Sequence, residues 1–374
     1  MNHPFEFCRN LISHPSARKD YLTNRQTRGL IGYFSNYIPE EVIAAAGFHP
    51  VRMIGRFTDS ASASGPLLAP ACSFARDCYA AACNNECSLL KEVVFPNSCD
   101  SMRVLLQMWQ SRITAPPAYC LLHPVNTDQA AIDYFAQQIR RFASHLEELA
   151  GVAFSDEILL AAIEKYNQIR CLLRQVYHHR RTNPVCLKGS DMVALMTAGL
   201  IMDREEYNTI LRRLVEQVND VSVSEIQKKR IMIAGPLMDT VSLIETIEYF
   251  NAVVIYEDIT NGARYADRDV ETEGDLYENL ARRYLLASPS PTRHSLLLED
   301  ATAFENLLGE VKPDGLIYIN QKFCEPHIHN YLAKKAFLRQ MKIPCMLLEI
   351  EHGRSSVDQR DLLRIESFLE TLNI

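Results

Sequence analysis

No Cys-x-x-Cys pair occurs in this chain, although eleven of its 374 residues are cysteine. That absence removes the short-spaced zinc and ferredoxin patterns, in which neighbouring thiolates of one loop grip one metal centre. None of the eleven histidines forms a His-x-x-x-His or His-Glu-x-x-His pair, so no single helix face offers a metal two imidazoles. The nucleophile elbow Gly-x-Ser-x-Gly, the P-loop and the dinucleotide fingerprint Gly-x-Gly-x-x-Gly are missing as well. ATP or a dinucleotide is therefore not expected through a known glycine cradle. No apolar run approaches the roughly 20 residues that cross a bilayer. The start, Met1-Asn2-His3-Pro4-Phe5-Glu6-Phe7-Cys8, lacks the basic stretch and apolar run of a secretory signal. Positive charge is in deficit, with 39 basic and 46 acidic residues and a net charge of −7, which argues against a nucleic-acid backbone as main partner. A cysteine-rich chain without these signals is expected in the cytoplasm, with thiols free or metal-bound rather than paired in disulfides.

What is present is an ordinary globular composition, 47% hydrophobic and 23% charged, in a chain long enough for two domains. The first 125 residues alternate strand and helix. Arg28 to Phe34 reads as a strand, and Ile38 to Gly47 as a helix with Pro in its first turn, acids near its start and Gly at its end. A strand at Val51 to Ile54 and a Ser/Ala/Gly/Pro loop over Thr58 to Pro70 follow. A helix from Cys72 to about Leu90, a strand at Glu92 to Phe95, a helix at Asp100 to Gln110 and a strand at Ala118 to Leu122 complete this part. Between 127 and 218 no strand pattern occurs, and amphipathic helices fit 127–149, 155–180, 189–199 and 203–218. Alternation resumes with strands at Arg230 to Ala234, Ala252 to Tyr256, Leu316 to Ile319 and Pro344 to Ile350. Helices run to Phe250, over 274–287 and over Gln359 to Leu372. The alternation implies parallel sheets with helices on both faces. The expected fold is α/β: two doubly wound, Rossmann- or flavodoxin-like domains at 1–126 and 225–374, with a helical segment, 127–224, between them.

In open α/β sheets ligands bind outside the carboxyl ends of the strands. Cys99 lies there after Val93-Val94-Phe95-Pro96-Asn97-Ser98, and Cys324 after Ile317-Tyr318-Ile319-Asn320-Gln321-Lys322-Phe323, with Pro326 opening a helix. Cys72 opens the helix after the Pro66 to Pro70 turn region. Amides and the dipole at a helix N-terminus favour negative charge, so these thiols are expected to ionise readily, and the thiolate is the form that binds metal. Three thiolates meeting in a cleft suit an iron–sulfur cluster with one iron free for substrate, or catalytic zinc; inert buried thiols are the plain alternative. Cys83 and Cys87, one turn apart on the same expected helix, share a face. With Cys78 they are either extra ligands or small semi-buried side chains. Cys120 and Cys345 in strands and Cys171 in a helix read as core, Cys186 carries no signal, and His178-His179-Arg180-Arg181 reads as a solvated helix end. Glu40 and Glu41, beside the end of the first strand, are candidates for the substrate side of the cleft, with helix-start charge as the alternative. Ser35 and Tyr37, on the same loop, are candidates too.

Gly32-Tyr33, the run Tyr37-Ile38-Pro39-Glu40-Glu41-Val42-Ile43-Ala44-Ala45-Ala46-Gly47, and Phe95 to Cys99-Asp100-Ser101 carry a resemblance. So do His123-Pro124 with Asn126, Lys322-Phe323-Cys324-Glu325-Pro326, and Arg364-Ile365-Glu366-Ser367-Phe368. In this order, from about residue 28 to 372, they resemble the 2-hydroxyacyl-CoA dehydratase D-component family, which includes benzoyl-CoA reductase subunits. The resemblance implies a 4Fe–4S cluster between two α/β domains, held by Cys72, Cys99 and Cys324. It implies an acyl-CoA substrate dehydrated through a ketyl radical, a dimer of related subunits, and electrons from a separate ATP-hydrolysing iron–sulfur activator, which would explain the missing P-loop. Ser288-Pro289-Ser290-Pro291 carries serine where some relatives would have cysteine, and Cys78, Cys83 and Cys87 lie outside the common motif. Those extra thiols raise a second reading, a homodimeric reductase with a double-cubane iron–sulfur cluster. A non-catalytic partner subunit is a third.

Overall fold

The computed structural model describes residues 4–55, 71–221, 227–238, 240–288, 290–293, 297–353 and 356–372, the side chains of 297–301 excepted. The loop expected at Thr58 to Pro70 lies outside these residues. Two four-stranded sheets form the frame, and every strand pairing in them is parallel. The first holds β1 (Leu30–Tyr33), β2 (His49–Arg52), β3 (Leu90–Pro96) and β4 (Ala118–Leu121), in the order β2-β1-β3-β4. The second holds β5 (Lys229–Ala234), β6 (Ala252–Asp258), β7 (Gly315–Gln321) and β8 (Cys345–Ile350), in the order β6-β5-β7-β8. The two orders are the same, so each sheet reverses direction of winding between its first and third strand. The crevice at that reversal is where ligands sit in doubly wound sheets. The inner strands are apolar runs buried on both faces, as parallel sheets require: all four residues of β1 and all seven of β7 are buried.

Helices do not keep to the sheet nearest in sequence. Phe5, Cys8, Leu11 and Ile12 of the helix Pro4–Ser13 pack into the core of the second sheet. Leu276, Leu280 and Tyr284 of the helix Leu276–Leu286 pack into the core of the first. The 27-residue helix Asp156–Thr182 runs about 40 Å and serves both. Its Leu159 and Ile163 join the first core, and its Ile169, Leu173 and Val176 the second. Among the described residues no helix is long and apolar enough to cross a membrane.

Three local expectations are corrected. The helix expected to reach Leu90 stops at Cys83, because Asn84 closes it and Asn85 turns left-handed at φ +60°. Cys83 is therefore exposed while Cys87 is buried, and the two do not share a helix face. A helix at Leu297–Val311 had no counterpart in the sequence reading. Cys171 is exposed on its helix, and Cys120 and Cys345 are half-buried because β4 and β8 are edge strands.

Gly235 shows how tightly the second sheet closes at its carboxyl edge. Its φ is +145°, and a Cβ there would lie 2.3 Å from the carbonyl oxygen of Ile319 on β7. Gly235→Ala must shift backbone as well as adopt a disfavoured conformation. A loss of about 3 kcal/mol is expected, read as a lower urea midpoint; an unchanged midpoint would show that the edge yields freely.

Candidate functional site

Cys72, Cys99 and Cys324 each occupy the N-cap of a helix: Ser73–Cys83, Asp100–Arg112 and Glu325–Gln340 respectively. Two hydrogen bonds stitch the three caps together. The Ser73 N–H donates to the Lys322 carbonyl at 3.1 Å, joining the first cap to the loop of the third. The Cys72 N–H donates to the Ser101 hydroxyl at 3.3 Å, joining it to the first turn after Cys99. Cys72 and Cys324 share one apolar cluster with Phe74 and Leu237, and Cys99 packs at its edge.

The thiols are close enough to feel one another's charge. Burial raises the Cys72 pKa from 9.0 to about 11; the Ala75 amide opposes this, and negative charge at Cys99 adds to it. Burial pushes Cys324 up further, reinforced by Cys72 and Cys99 against the amide of His327. Cys99 is also raised by burial, with the Met102 amide and Ser98 hydroxyl pulling the other way. The expectation of ready ionisation is thus overturned. The helix-start amides act in the expected direction, but desolvation outweighs them. Among the described residues no three His, Cys, Asp or Glu side chains converge to hold a metal ion. A single tetrahedral zinc would need sulfurs about 3.8 Å apart, and no such set occurs among the described residues.

The loops after β1 and β7 share an unusual feature. Ser35 and Phe323, each two residues past its strand, are left-handed at φ +68° and +66°. For an aromatic residue that is an outlier, and such strain concentrates at functional sites. The turn at Phe323 lets the Cys324 N–H reach the Gln321 carbonyl at 2.8 Å. It leaves the Phe323 ring half in solvent, with Arg76 and Lys322 within 5.6 Å of its centre. The sequence placed Phe323 in the motif around Cys324 but gave no sign of its left-handed backbone.

Ser35 and Tyr37 line a cavity of about 30 Å³ with Thr260, Arg264, Arg283 and Tyr284. The Tyr37 hydroxyl lies 3.0 Å from that of Thr292, and its ring lies 4.7 Å from His123. Glu40 and Glu41 do not reach an open surface. Glu40 is ion-paired with Arg204, and Glu41 with Arg170. Glu41 also accepts the Tyr284 hydroxyl at 2.7 Å. Burial raises the Glu41 pKa, but Arg170 and Arg283 more than reverse this and hold it below the usual carboxylate range. Helix-start position brought both carboxylates inward, against arginines of the two neighbouring helices.

The sequence profile of the 2-hydroxyglutaryl-CoA dehydratase D-component matches residues 35–372, which takes in all three thiols. The chain belongs to that family. It is 26% identical to the (R)-phenyllactyl-CoA dehydratase beta subunit of Clostridium sporogenes, over 98% of each chain. It is 27% identical to a benzoyl-CoA reductase subunit of Thauera aromatica, over 83% of this chain and 82% of that one. It is 22% identical to the lactoyl-CoA dehydratase beta subunit of Anaerotignum propionicum, over 97% of each.

Two further features of this D-component chain were not legible beforehand. Arg180 is no part of a solvated helix end: it is fully buried, grips Glu257 with bonds of 2.9 and 2.8 Å, and donates to the Val254 carbonyl at 2.6 Å. The long helix crosses β6, so its inner face meets the sheet. A second cavity, of about 430 Å³, opens beside the end of β6, where Asp258 is held by Arg264 at 2.6 and 2.8 Å.

His49 and His123 are buried, and burial lowers each pKa from 6.5 to about 4. His49 Nε2 faces the Ile201 carbonyl at 2.7 Å, which places the neutral ring's hydrogen on that nitrogen. Between pH 6.5 and 4 the unfolded chain binds protons that the folded chain refuses. Stability therefore falls as pH falls through that window, by up to about 3 kcal/mol per histidine. Urea midpoints measured from pH 7 to 4 should drop more steeply in the wild type than in a His49→Asn/His123→Asn chain; parallel curves would refute the assignment.

Proposed function

We propose that this chain is the iron–sulfur subunit of a 2-hydroxyacyl-CoA dehydratase-like enzyme, with Cys72, Cys99 and Cys324 holding a 4Fe–4S cluster. The carrying observation is that Cys72 and Cys324, both buried, and Cys99, half-buried, each cap a helix, and that these caps are tied by the Ser73–Lys322 and Cys72–Ser101 bonds. The donor set suits such a group. Thiolate is its usual ligand, three thiolates leave one iron open, and a cluster tolerates sulfurs farther apart than one ion does. When bound, it supplies low-potential one-electron chemistry and an iron open to a thioester carbonyl.

The chain's own part is to keep that chemistry dry and its charge tolerable. Phe74 and Leu237 pack around the thiols, and amides at Ala75, Met102 and His327 point at the sulfurs. In the reaction class inferred, one electron added to the thioester gives a ketyl radical that expels the 2-hydroxyl as hydroxide. Loss of a C3 proton and return of the electron give the enoyl-CoA and water, with no net redox change. The electron would come from a separate ATP-dependent activator. Relatives matched over nearly their whole length are named beta subunits, which supports pairing with a second subunit. The loop with Ser35 and Tyr37 would face the substrate.

Anaerobic purification with iron and sulfide analysis tests this. About four irons per chain are expected, and a folded chain without iron defeats it. A reductase reading is favoured by the Thauera relative and by Cys78, fully buried between Cys72 and Cys87, a thiol more than three ligands require. An EPR signal perturbed by a 2-hydroxyacyl-CoA supports the dehydratase. A joined double-cubane signal from a homodimer supports the reductase.

A further inference from the structure

We propose that His352 is a positioning residue, a polar latch that holds Cys72 in register with Cys324. This rests on reading those two thiols as ligands of one group. His352 lies two residues past β8, yet it is buried. Its Nε2 faces the Ile54 carbonyl at 3.0 Å. A carbonyl only accepts, so Nε2 carries the hydrogen and Nδ1 presents a lone pair. The Gln321 side-chain amide nitrogen lies 3.3 Å from Nδ1 and donates its other hydrogen to the Leu237 carbonyl at 2.8 Å. Every role is complementary, and the partners define one tautomer.

The remaining contacts fall on the helix that Cys72 caps. The His352 N–H donates to the Ser73 hydroxyl at 3.1 Å, the Phe74 ring meets the imidazole edge-on at 5.0 Å, and Asp77 Oδ2 lies 3.8 Å from Nε2. One residue thus touches residues 54, 73, 74 and 77 from the first sheet's half and Gln321, three before Cys324, from the second. Ser73 completes the circuit by donating its N–H to Lys322. Gly55 clears the space: a Cβ there would lie 2.4 Å from Asp77 Oδ2 and 2.6 Å from His352 Nε2. The two cap thiols follow different sheets, so their relative position rests on their shared apolar cluster, the Ser73–Lys322 bond and the contacts of His352.

The test uses the full chain as wild type, His352→Ala, His352→Gln and Ser73→Ala, with circular dichroism as the check on folding. One readout is the EPR line shape and midpoint potential of the iron-loaded protein. The other needs no iron: cross-linking of Cys72 to Cys324 by dibromobimane in the apo chain, quantified by peptide mass spectrometry. In His352→Ala the cross-link should fall about ten-fold, since displacement of a reacting pair by about 1 Å has effects of that order or larger. The EPR signal should broaden and the potential shift. His352→Gln, whose amide still reaches Ile54, should restore most of both. If His352→Ala fails to fold, Ser73→Ala decides, with a smaller loss in the same direction. Folded variants with wild-type cross-linking and EPR overturn the latch. A wild type that binds no iron, but whose cross-link is lost in His352→Ala, supports the latch and defeats the cluster.

Discussion

A Cys324→Ala chain is expected to fold and to lose its iron, falling from about four irons per chain to below about one. Cys324 is buried, but it sits at a helix cap beyond the end of β7 rather than in the sheet. Removing one sulfur there leaves a small void, for which about 1 kcal/mol is a fair expectation. Against a typical stability of about 5–15 kcal/mol that is not enough to unfold the chain. Cys171→Ala, at an exposed thiol, and Cys345→Ala, at a half-buried one in β8, are the controls and should keep full iron. Iron assay and circular dichroism decide; a Cys324→Ala protein with full iron would mean the ligand set is wrong.

The parts of this arrangement that could be read from sequence are those governed by local rules. Parallel strands are buried on both faces and so appear as apolar runs, which is why β1, β3, β5 and β7 stood out. A thiol two residues before a proline, at the end of such a run, marked the Cys324 cap. What sequence could not give is the outcome of opposed effects that only packing decides. The helix-end amides were visible in advance, but the burial that outweighs them at Cys72 was not. The Asn84-Asn85 pair is a stop signal, although the run from Cys72 to about Leu90 reads as one helix. His352 has no periodic neighbours and lies on a loop, so it carried no signal; its role comes from groups scattered between residues 54 and 321. Arg180 looked solvated beside His178, His179 and Arg181, and only the crossing of the long helix over β6 turns it inward.

The same opposition of local rule and packing bears on Glu41, and a Glu41→Ala chain should separate the two. The carboxylate is 0% exposed and its partner Arg170 1%. Arg170 also donates to Asn167 at 2.9 Å, and Tyr284 donates to Glu41. Three distant segments, the helices Glu40–Ala45, Asp156–Thr182 and Leu276–Leu286, therefore meet at one carboxylate. Deleting it strands a guanidinium in a dry interior, for which a loss of about 3–5 kcal/mol is expected. Glu41→Gln keeps the shape and an acceptor and should lose less. A Glu41→Ala/Arg170→Met chain should recover part of the loss, because no charge is then left alone. Urea midpoints measure all three, beside iron content and turnover. A structural tie predicts lowered stability, with turnover restored in proportion as folding is restored by temperature. A Glu41→Ala chain destabilised by less than about 1 kcal/mol, with full iron and no turnover, would instead make this carboxylate a group that acts on substrate. The buried pair with Arg170 would then be its resting state rather than its purpose.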